Sequence, residues 1–307
     1  MALHKILVAI DFSAPSRAAF ERAVLLAERT GAGLELLWVE DTATTNSLVY
    51  GTATQEVERL MAELQAESSA QLGKLAEEAR ARGVEIGHRV EQGHPDEVIV
   101  ATADDIGADL VLTGTKGLTG LKRFLLGSVA ENVARACHTN VLVTRGDAAE
   151  YRRVLVATDF SPTSEKALTV AMAVAAPDAE IDLFHAWQYP PGTHGLATPT
   201  PRHSDPVASL HEQIIELNTL RGEALRQRFG NGAQTLRFLQ DHGAPAAVIQ
   251  QRLEAHPYDL VATGTHGYRG FRRFILGSVA EATVRHAPCS VLVAHGGDDN
   301  ANAAEPA

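Results

Sequence analysis

The 307-residue chain is 45% hydrophobic and 21% charged, the balance of an ordinary globular protein, and is long enough for two domains that each bury a core. Its formal net charge of −11, with no basic run, excludes a general nucleic-acid surface, because nothing would neutralise a phosphate backbone. Its two cysteines, Cys137 and Cys289, stand at different points of an internal repeat and read as small buried apolar residues, not as a redox pair.

The first residues lead directly into Ile6-Leu7-Val8-Ala9-Ile10. That run is too short for a signal segment or a membrane span, so a cytoplasmic protein without a membrane partner is expected. Residues 5–10 read as a buried strand ending at Asp11-Phe12-Ser13. Ser13 or Ser16 can cap a helix to about Arg29, packed through Ala18, Ala19, Ala23, Leu26 and Ala27. Gly31 and Gly33 bracket a turn, and residues 34–39 form a second strand. The Thr-rich residues 41–54 read as an excursion loop. An amphipathic helix is predicted over 55–82, stopped by Gly83. Residues 84–91 alternate like a strand, and Pro95 opens a helix to about Ile106. Residues 109–113 form a fourth strand, 129–136 a helix and 140–144 a fifth strand. Alternating apolar strands and helices imply a parallel sheet covered on both faces.

Between the fourth strand and its helix lies Gly114-Thr115-Lys116-Gly117, then nine residues, then Gly127-Ser128. Gly264-Thr265-His266-Gly267, nine residues and Gly277-Ser278 repeat it at an offset of 150. Asp109 and Asp259 open the strands that precede the two copies. Glycines at a strand end let backbone N–H groups approach an anion, and a helix N-terminus after Gly-Ser favours phosphate. Asp159-Phe160-Ser161 answers Asp11-Phe12-Ser13, and Ser290-Val291-Leu292-Val293 answers Asn140-Val141-Leu142-Val143. The expected domains are 1–146 and 151–296, with a polar, disordered tail over 297–307. A join of a few residues implies packed halves rather than loosely tethered ones.

The opening strand ending in Asp-Phe-Ser, the Gly-x-x-Gly-x9-Gly-Ser stretch and the closing Val-Leu-Val strand, each present twice, resemble a tandem universal stress protein of the ATP-binding branch. The resemblance implies an α/β fold. It consists of two tandem doubly wound, Rossmann-like domains, each a five-stranded parallel sheet of order 3-2-1-4-5 flanked by helices. The resemblance also implies a nucleotide over the carboxyl ends of strands one and four, which agrees with the rule that ligands of open α/β sheets bind where the strand order reverses. The resemblance puts Asp11 near the ribose of ATP and Ala9 and Val39 around its adenine. It puts Gly114, Lys116, Gly117, Gly127, Ser128 and Val129 at the phosphates. The second half offers Ala157, Asp159, Ala186, Gly264, His266, Gly267, Gly277, Ser278 and Val279. Any Mg²⁺ would be held by the phosphates. The aspartates keep a second reading as plain helix-entry caps, and the glycines as a tight turn. The fifth strands are apolar edges that need covering. The resemblance suggests that they meet, giving an intramolecular pseudo-dimer, with a further homodimer left open.

Other chemistry is poorly served. No Gly-Lys-Ser/Thr follows the glycines, so this is not a Walker A loop, and the first strand does not run into Gly-x-Gly. His185, His194, His203 and His211 lack fixed metal-ligand spacing and read as solvated loop residues, with no metal expected. Arg123, Arg272 and Arg273 suit phosphate or solvent equally. Neither a nucleophile triad nor a general base can be placed, so an enzyme is not expected, slow ATP hydrolysis aside. Two functions remain. One is an ATP-binding, nucleotide-responsive regulator of the stress response with an unknown protein partner. The other is a nucleotide-independent interaction module or carrier of another small ligand.

Overall fold

The computed structural model describes residues 2–41, 55–115, 126–189, 206–230, 232–265 and 276–296. The first half runs β1 (Lys5–Ala9), α1 (Ala14–Thr30), β2 (Gly33–Asp41), α2 (Gln55–Ala81), β3 (Ile86–Gly93), α3 (Pro95–Asp105), β4 (Leu110–Gly114), α4 (Ser128–Ala136) and β5 (Asn140–Thr144). The second runs β6 (Tyr151–Ala157), α5 (Pro162–Val174), β7 (Ala175–Trp187), α6 (Pro206–Phe229), β8 (Thr235–His242), α7 (Pro245–Ala255), β9 (Leu260–Gly264), α8 (Ser278–His286) and β10 (Ser290–Ala294).

All ten strands form one sheet of order β3-β2-β1-β4-β5-β10-β9-β6-β7-β8. Each half has the expected 3-2-1-4-5 order, and neighbours within a half are parallel. The halves join where β5 and β10 pair antiparallel, Val141 opposite Val293, Leu142 opposite Leu292 and Val143 opposite Val291. The two expected five-stranded sheets are therefore one continuous sheet. The expected meeting of the fifth strands is a ladder of backbone pairs, the arrangement that leaves neither apolar edge open.

The strands are apolar on both faces because helices cover both. Ile6 and Val8 of β1 face α1 and α2, while Leu7 faces α3 and α4. In the second half α5 and α6 share the first face and α7 and α8 the second. Each core layer runs unbroken across the seam. Among the described residues no helix is long and apolar enough to cross a membrane.

Polar contacts close the seam. Arg145 donates from Nη2 to the Val284 carbonyl in the last turn of α8, at 3.2 Å. Its repeat equivalent, His295, meets the Ala134 carbonyl in the last turn of α4, also at 3.2 Å. A donor at a helix C-terminus answers carbonyls that lack partners and the negative end of the dipole. Burial pushes the Arg145 guanidinium below its ordinary pKa. Glu131 and Arg135 of α4 interlock with Glu281 and Arg285 of α8, the closest cross-seam pair being Arg285 to Glu131 at 2.6 Å. The short join is itself held: Arg22 of α1 is buried, donates to the carbonyls of Asp147 and Ala149, and lies 4.2 Å over the Tyr151 ring.

A continuous core and ladder should make the halves unfold together. The two tryptophans, Trp38 and Trp187, report one half each. Single-tryptophan variants Trp38→Phe and Trp187→Phe are expected to give coincident urea midpoints. Leu142→Ala, at a fully buried seam position, is expected to cost about 2–5 kcal/mol. Two separated transitions in the tryptophan variants would show that the seam does not couple the halves.

Candidate functional site

The switch points in strand order lie between β1 and β4 and between β6 and β9. At the first, β1 ends in the Asp11-Phe12-Ser13 turn. Oδ1 of Asp11 accepts from the Ser13 backbone N–H at 3.0 Å and from the Ser13 hydroxyl at 2.5 Å. Ser13, not Ser16, is the N-cap of α1, accepting from the Ser16 N–H. At the second, Oδ1 of Asp159 accepts from the Ser161 N–H at 3.0 Å, and Ser161 caps α5. The aspartates are not the caps themselves: at each strand-order reversal the carboxylate braces the turn whose serine caps the helix.

Between aspartate and serine, Phe12 and Phe160 have φ of 61° and 63°. A non-glycine residue in this left-handed region is uncommon, and a bulky one is held there only by its surroundings. The reversal turns the phenyl rings to the α1/α2 and α5/α6 face. The apolar site candidates go the other way. Ala9, Val39, Val129, Ala157, Ala186 and Val279 all pack against the opposite core layer. Six residues from four strands and two helices thus share one face at the carboxyl ends of the sheet.

Gly114 and Gly264 end β4 and β9, and close packing explains why they are glycines. A Cβ on Gly114 would meet the Pro15 carbonyl carbon at 2.8 Å and the Ser16 nitrogen at 2.9 Å, and one on Gly264 would meet Thr163 at 2.8 Å. The missing side chain lets the N-terminus of α1 or α5 sit against the strand end. That contact draws the aspartate turn beside the ends of β4 and β9.

Lys116, Gly117, Arg123, His266, Gly267, Arg272 and Arg273 lie outside the described residues. The ends of both loops are described. The Gly127 N–H donates to the Thr115 carbonyl at 2.6 Å, and the Gly277 N–H to the Thr265 carbonyl at 2.8 Å. Each loop is thereby closed at its base. Gly127 and Gly277 are the N-caps of α4 and α8, and neither helix has a side-chain cap. Ser128 and Ser278 are the first helical residues and are exposed. So α1 and α5 each have one first-turn amide capped by a serine, whereas α4 and α8, like α3 and α7, present theirs without a side-chain acceptor. An uncapped helix N-terminus is where an anion gains most.

Two of the histidines expected in a solvated loop are not there: His185 lies on β7 and His211 on α6, both partly buried. In the second half His185 stands where the first half has Trp38. Its Nδ1–H donates to the Thr158 carbonyl at 2.7 Å and its ring lies 4.6 Å from Phe160. Burial holds its pKa below the ordinary value. Trp187 meets His242 at 4.8 Å and Tyr189 at 5.5 Å, and the Tyr189 hydroxyl bonds His211 Nδ1 at 2.7 Å. The first half puts Glu40 and Gln92 at the matching cross-strand pair, 2.9 Å apart. His194 and His203 lie outside the described residues. Among the described residues no cluster of His, Cys, Asp or Glu could hold a metal. Cys137 and Cys289 are buried and free, with thiols pushed up by burial to about 11 and about 12, which leaves them unreactive.

A model of the universal stress protein family matches residues 2–145 and again residues 150–295. The chain belongs to the universal stress protein family. A universal stress protein of Staphylococcus aureus (strain USA300) is 37% identical over 142 residues, 46% of this chain and 82% of that protein. Among solved structures, a universal stress protein from Archaeoglobus fulgidus DSM 4304 superposes with a TM-score of 0.66 at 20% identity, over 95% of this chain and 98% of its own. A protein of unknown function from Pseudomonas aeruginosa PAO1 gives 0.68 at 18% identity, over 97% and 94%. At those identities the two structures speak for the fold alone. They support the whole tandem arrangement, since each covers both halves of this universal stress protein.

The packing account of Gly114 makes a prediction that separates it from ordinary glycines. Gly114→Ala is expected to destabilise by about 1–3 kcal/mol, because backbone must move. Gly73→Ala, in helix α2 with nothing within 4 Å of the added Cβ, is expected to stabilise by about 0.5–1 kcal/mol. Thermal or urea denaturation of both variants checks the contrast, and equal effects would reject the packing account.

Proposed function

We propose that this universal stress protein binds ATP at both switch points and acts in the stress response as a nucleotide-responsive regulator. One observation carries the reading. In each half an uncapped helix N-terminus stands across the strand-order reversal from a carboxylate-stabilised turn, with an apolar wall on one side. That set of groups fits an adenine nucleotide. The amides of Ser128, Val129 and Ala130, and of Ser278, Val279 and Ala280, suit phosphate oxygens. An anionic Asp11 or Asp159 suits ribose hydroxyls, which donate, and not phosphates, which it would repel. Ala9 and Val39, or Ala157 and Ala186, suit the base. Lys116 and His266 would add charge at the phosphates, and any Mg²⁺ would be carried by the phosphates themselves. ATP in this reading is a bound signal for a protein partner, hydrolysed slowly at most.

The test begins with native protein, denatured so that released ligand can be identified by mass spectrometry. ATP or its diphosphate is the expected species. Calorimetry then separates the sites. Gly117→Val should weaken the first site at least about tenfold while leaving the fold intact, since each loop is tied at its base. Gly267→Val should do the same for the second. Unchanged ATP affinity in both folded variants would overturn the reading in favour of a different ligand or none.

The two sites should also respond differently to pH. A histidine of ordinary pKa, about 6.5, is mostly neutral at pH 7.5 and mostly protonated at pH 6, whereas lysine is charged at both. A hydrogen bond that gains a full charge strengthens from about 1 to about 1.5–3 kcal/mol. The site left in Gly117→Val should therefore bind ATP up to about tenfold more tightly at pH 6, beyond changes in the nucleotide's own protonation. The site left in Gly267→Val should lack that gain. Equal pH dependence in the two variants, measured by titration at pH 6 and 7.5, would reject a phosphate contact for His266.

A further inference from the structure

On the face opposite the proposed nucleotide sites, α1 and α2 flank a cleft of about 280 Å³. Its floor is mostly apolar, made by Ile10, Phe12 and Leu75 together with Ser16, whose hydroxyl is bonded to the Ser13 carbonyl. Gln71, Lys74 and Glu78 of α2 and Arg17 of α1 form the rim. The Phe12 ring reaches this face through its left-handed backbone and stays half-buried. The volume is just below the usual range for drug-sized ligands, so a fragment-sized molecule fits.

The second half shows what the same place looks like when the chain fills it. Phe160, the counterpart of Phe12, carries the Arg221 guanidinium over its ring at 5.8 Å and His185 against it at 4.6 Å. Residue 71, the counterpart of Arg221, is glutamine, and the ring nearest Phe12 is Trp38 at 6.4 Å. The aromatic face that the second half covers with its own cation is therefore part of the cleft floor in the first.

The rim charges select the ligand. Arg17 and Glu78 bond each other, and Arg17 also bonds Glu21 at 2.8 Å, so these charges are engaged. Lys74 is exposed and has no ion pair or hydrogen bond among the described residues. The cleft thus offers a mostly apolar, partly aromatic floor with one available cation at its mouth. We propose that it is a second ligand site, distinct from the nucleotide sites, for a small monoanion with an apolar body: an aryl or short alkyl carboxylate. The body lies on Phe12 and Leu75, and the carboxylate meets Lys74.

The probe is 4-phenylbutyrate, with 4-phenylbutanol as its neutral counterpart, titrated into full-length protein. Binding is followed by calorimetry and by backbone amide shifts, expected to concentrate at residues 10–16 and 71–78. Phenylbutyrate is expected to bind saturably, and phenylbutanol about tenfold more weakly, the loss of one charged contact. Lys74→Glu, at an exposed helix position that folding tolerates, should cost at least as much. Ala224→Glu, the counterpart position in the second half, should change nothing. Absence of saturable phenylbutyrate binding up to about 10 mM would overturn the site, since that is weaker than about 3 kcal/mol of binding. Equal binding of acid and alcohol, or an unaffected Lys74→Glu variant, would overturn the assigned ligand class.

Discussion

The antiparallel pairing of β5 with β10 is the constraint on which the rest of the molecule depends. Each half alone would end in an apolar strand with unpaired backbone groups, which is a template for aggregation. Pairing the two edges satisfies both at once, and its antiparallel sense, with Leu142 opposite its repeat equivalent Leu292, relates the halves by an approximate two-fold. From that relation follow the reciprocal contacts of Arg145 and His295 with the opposite helix end and the interlocked carboxylates and guanidinium groups of α4 and α8. The exposed ion pairs contribute little individually. The buried ladder and the two continuous core layers contribute most, as apolar area removed from water does generally.

The aspartate turn performs the second organising task. One peptide reversal lets Asp11 brace the start of α1 while the Phe12 ring packs on the α1/α2 core layer, and the repeat does the same with Asp159 and Phe160. A phenylalanine in the left-handed region costs on the order of 1–2 kcal/mol against an extended one. The turn recovers this through the Asx and N-cap hydrogen bonds and through ring burial. Capping at α1 and α5 then matters for what happens elsewhere. Of the helices that begin at the switch points, α1 and α5 are capped by serines and α4 and α8 are not, so each half keeps one switch-point helix start without a side-chain acceptor.

Much of this was legible in the sequence. Element order and most boundaries followed from apolar runs and from Ser13, Gly31 and Pro95, because those residue types act locally. The strand predicted from residue 84 begins at Ile86, a boundary that alternation alone does not mark. The exposed-edge argument called for a cover on β5 and β10, and the family resemblance suggested that they cover each other. Three things were not legible. Gly114 signalled a close approach, but glycine does not say whether the approaching group is a ligand or, as at Pro15, another helix. Phe12 gave no sign of a left-handed backbone, since its residue type disfavours one. Contacts such as Arg145 with Val284 depend on strand order over 139 positions, beyond any local pattern.

The repeat also separates what the fold requires from what each half has made its own. Arg17 pairs with Glu78 across α1 and α2; at the matching positions Glu165 pairs with Arg228 across α5 and α6. The contact is kept with its polarity reversed, so what the helix pair needs is opposite charges at this point, not a particular residue at either. Changing one partner alone would set like charges against each other, which costs about as much as the pair is worth. The outer strands show the opposite behaviour. Glu40 with Gln92 in one half and Trp187 with His242 in the other share only their register. Turn, helix start and seam are therefore common to both halves, while the walls around them differ in charge and aromatic content. On the proposed function, the two sites share backbone geometry but not walls, so their nucleotide affinities should differ.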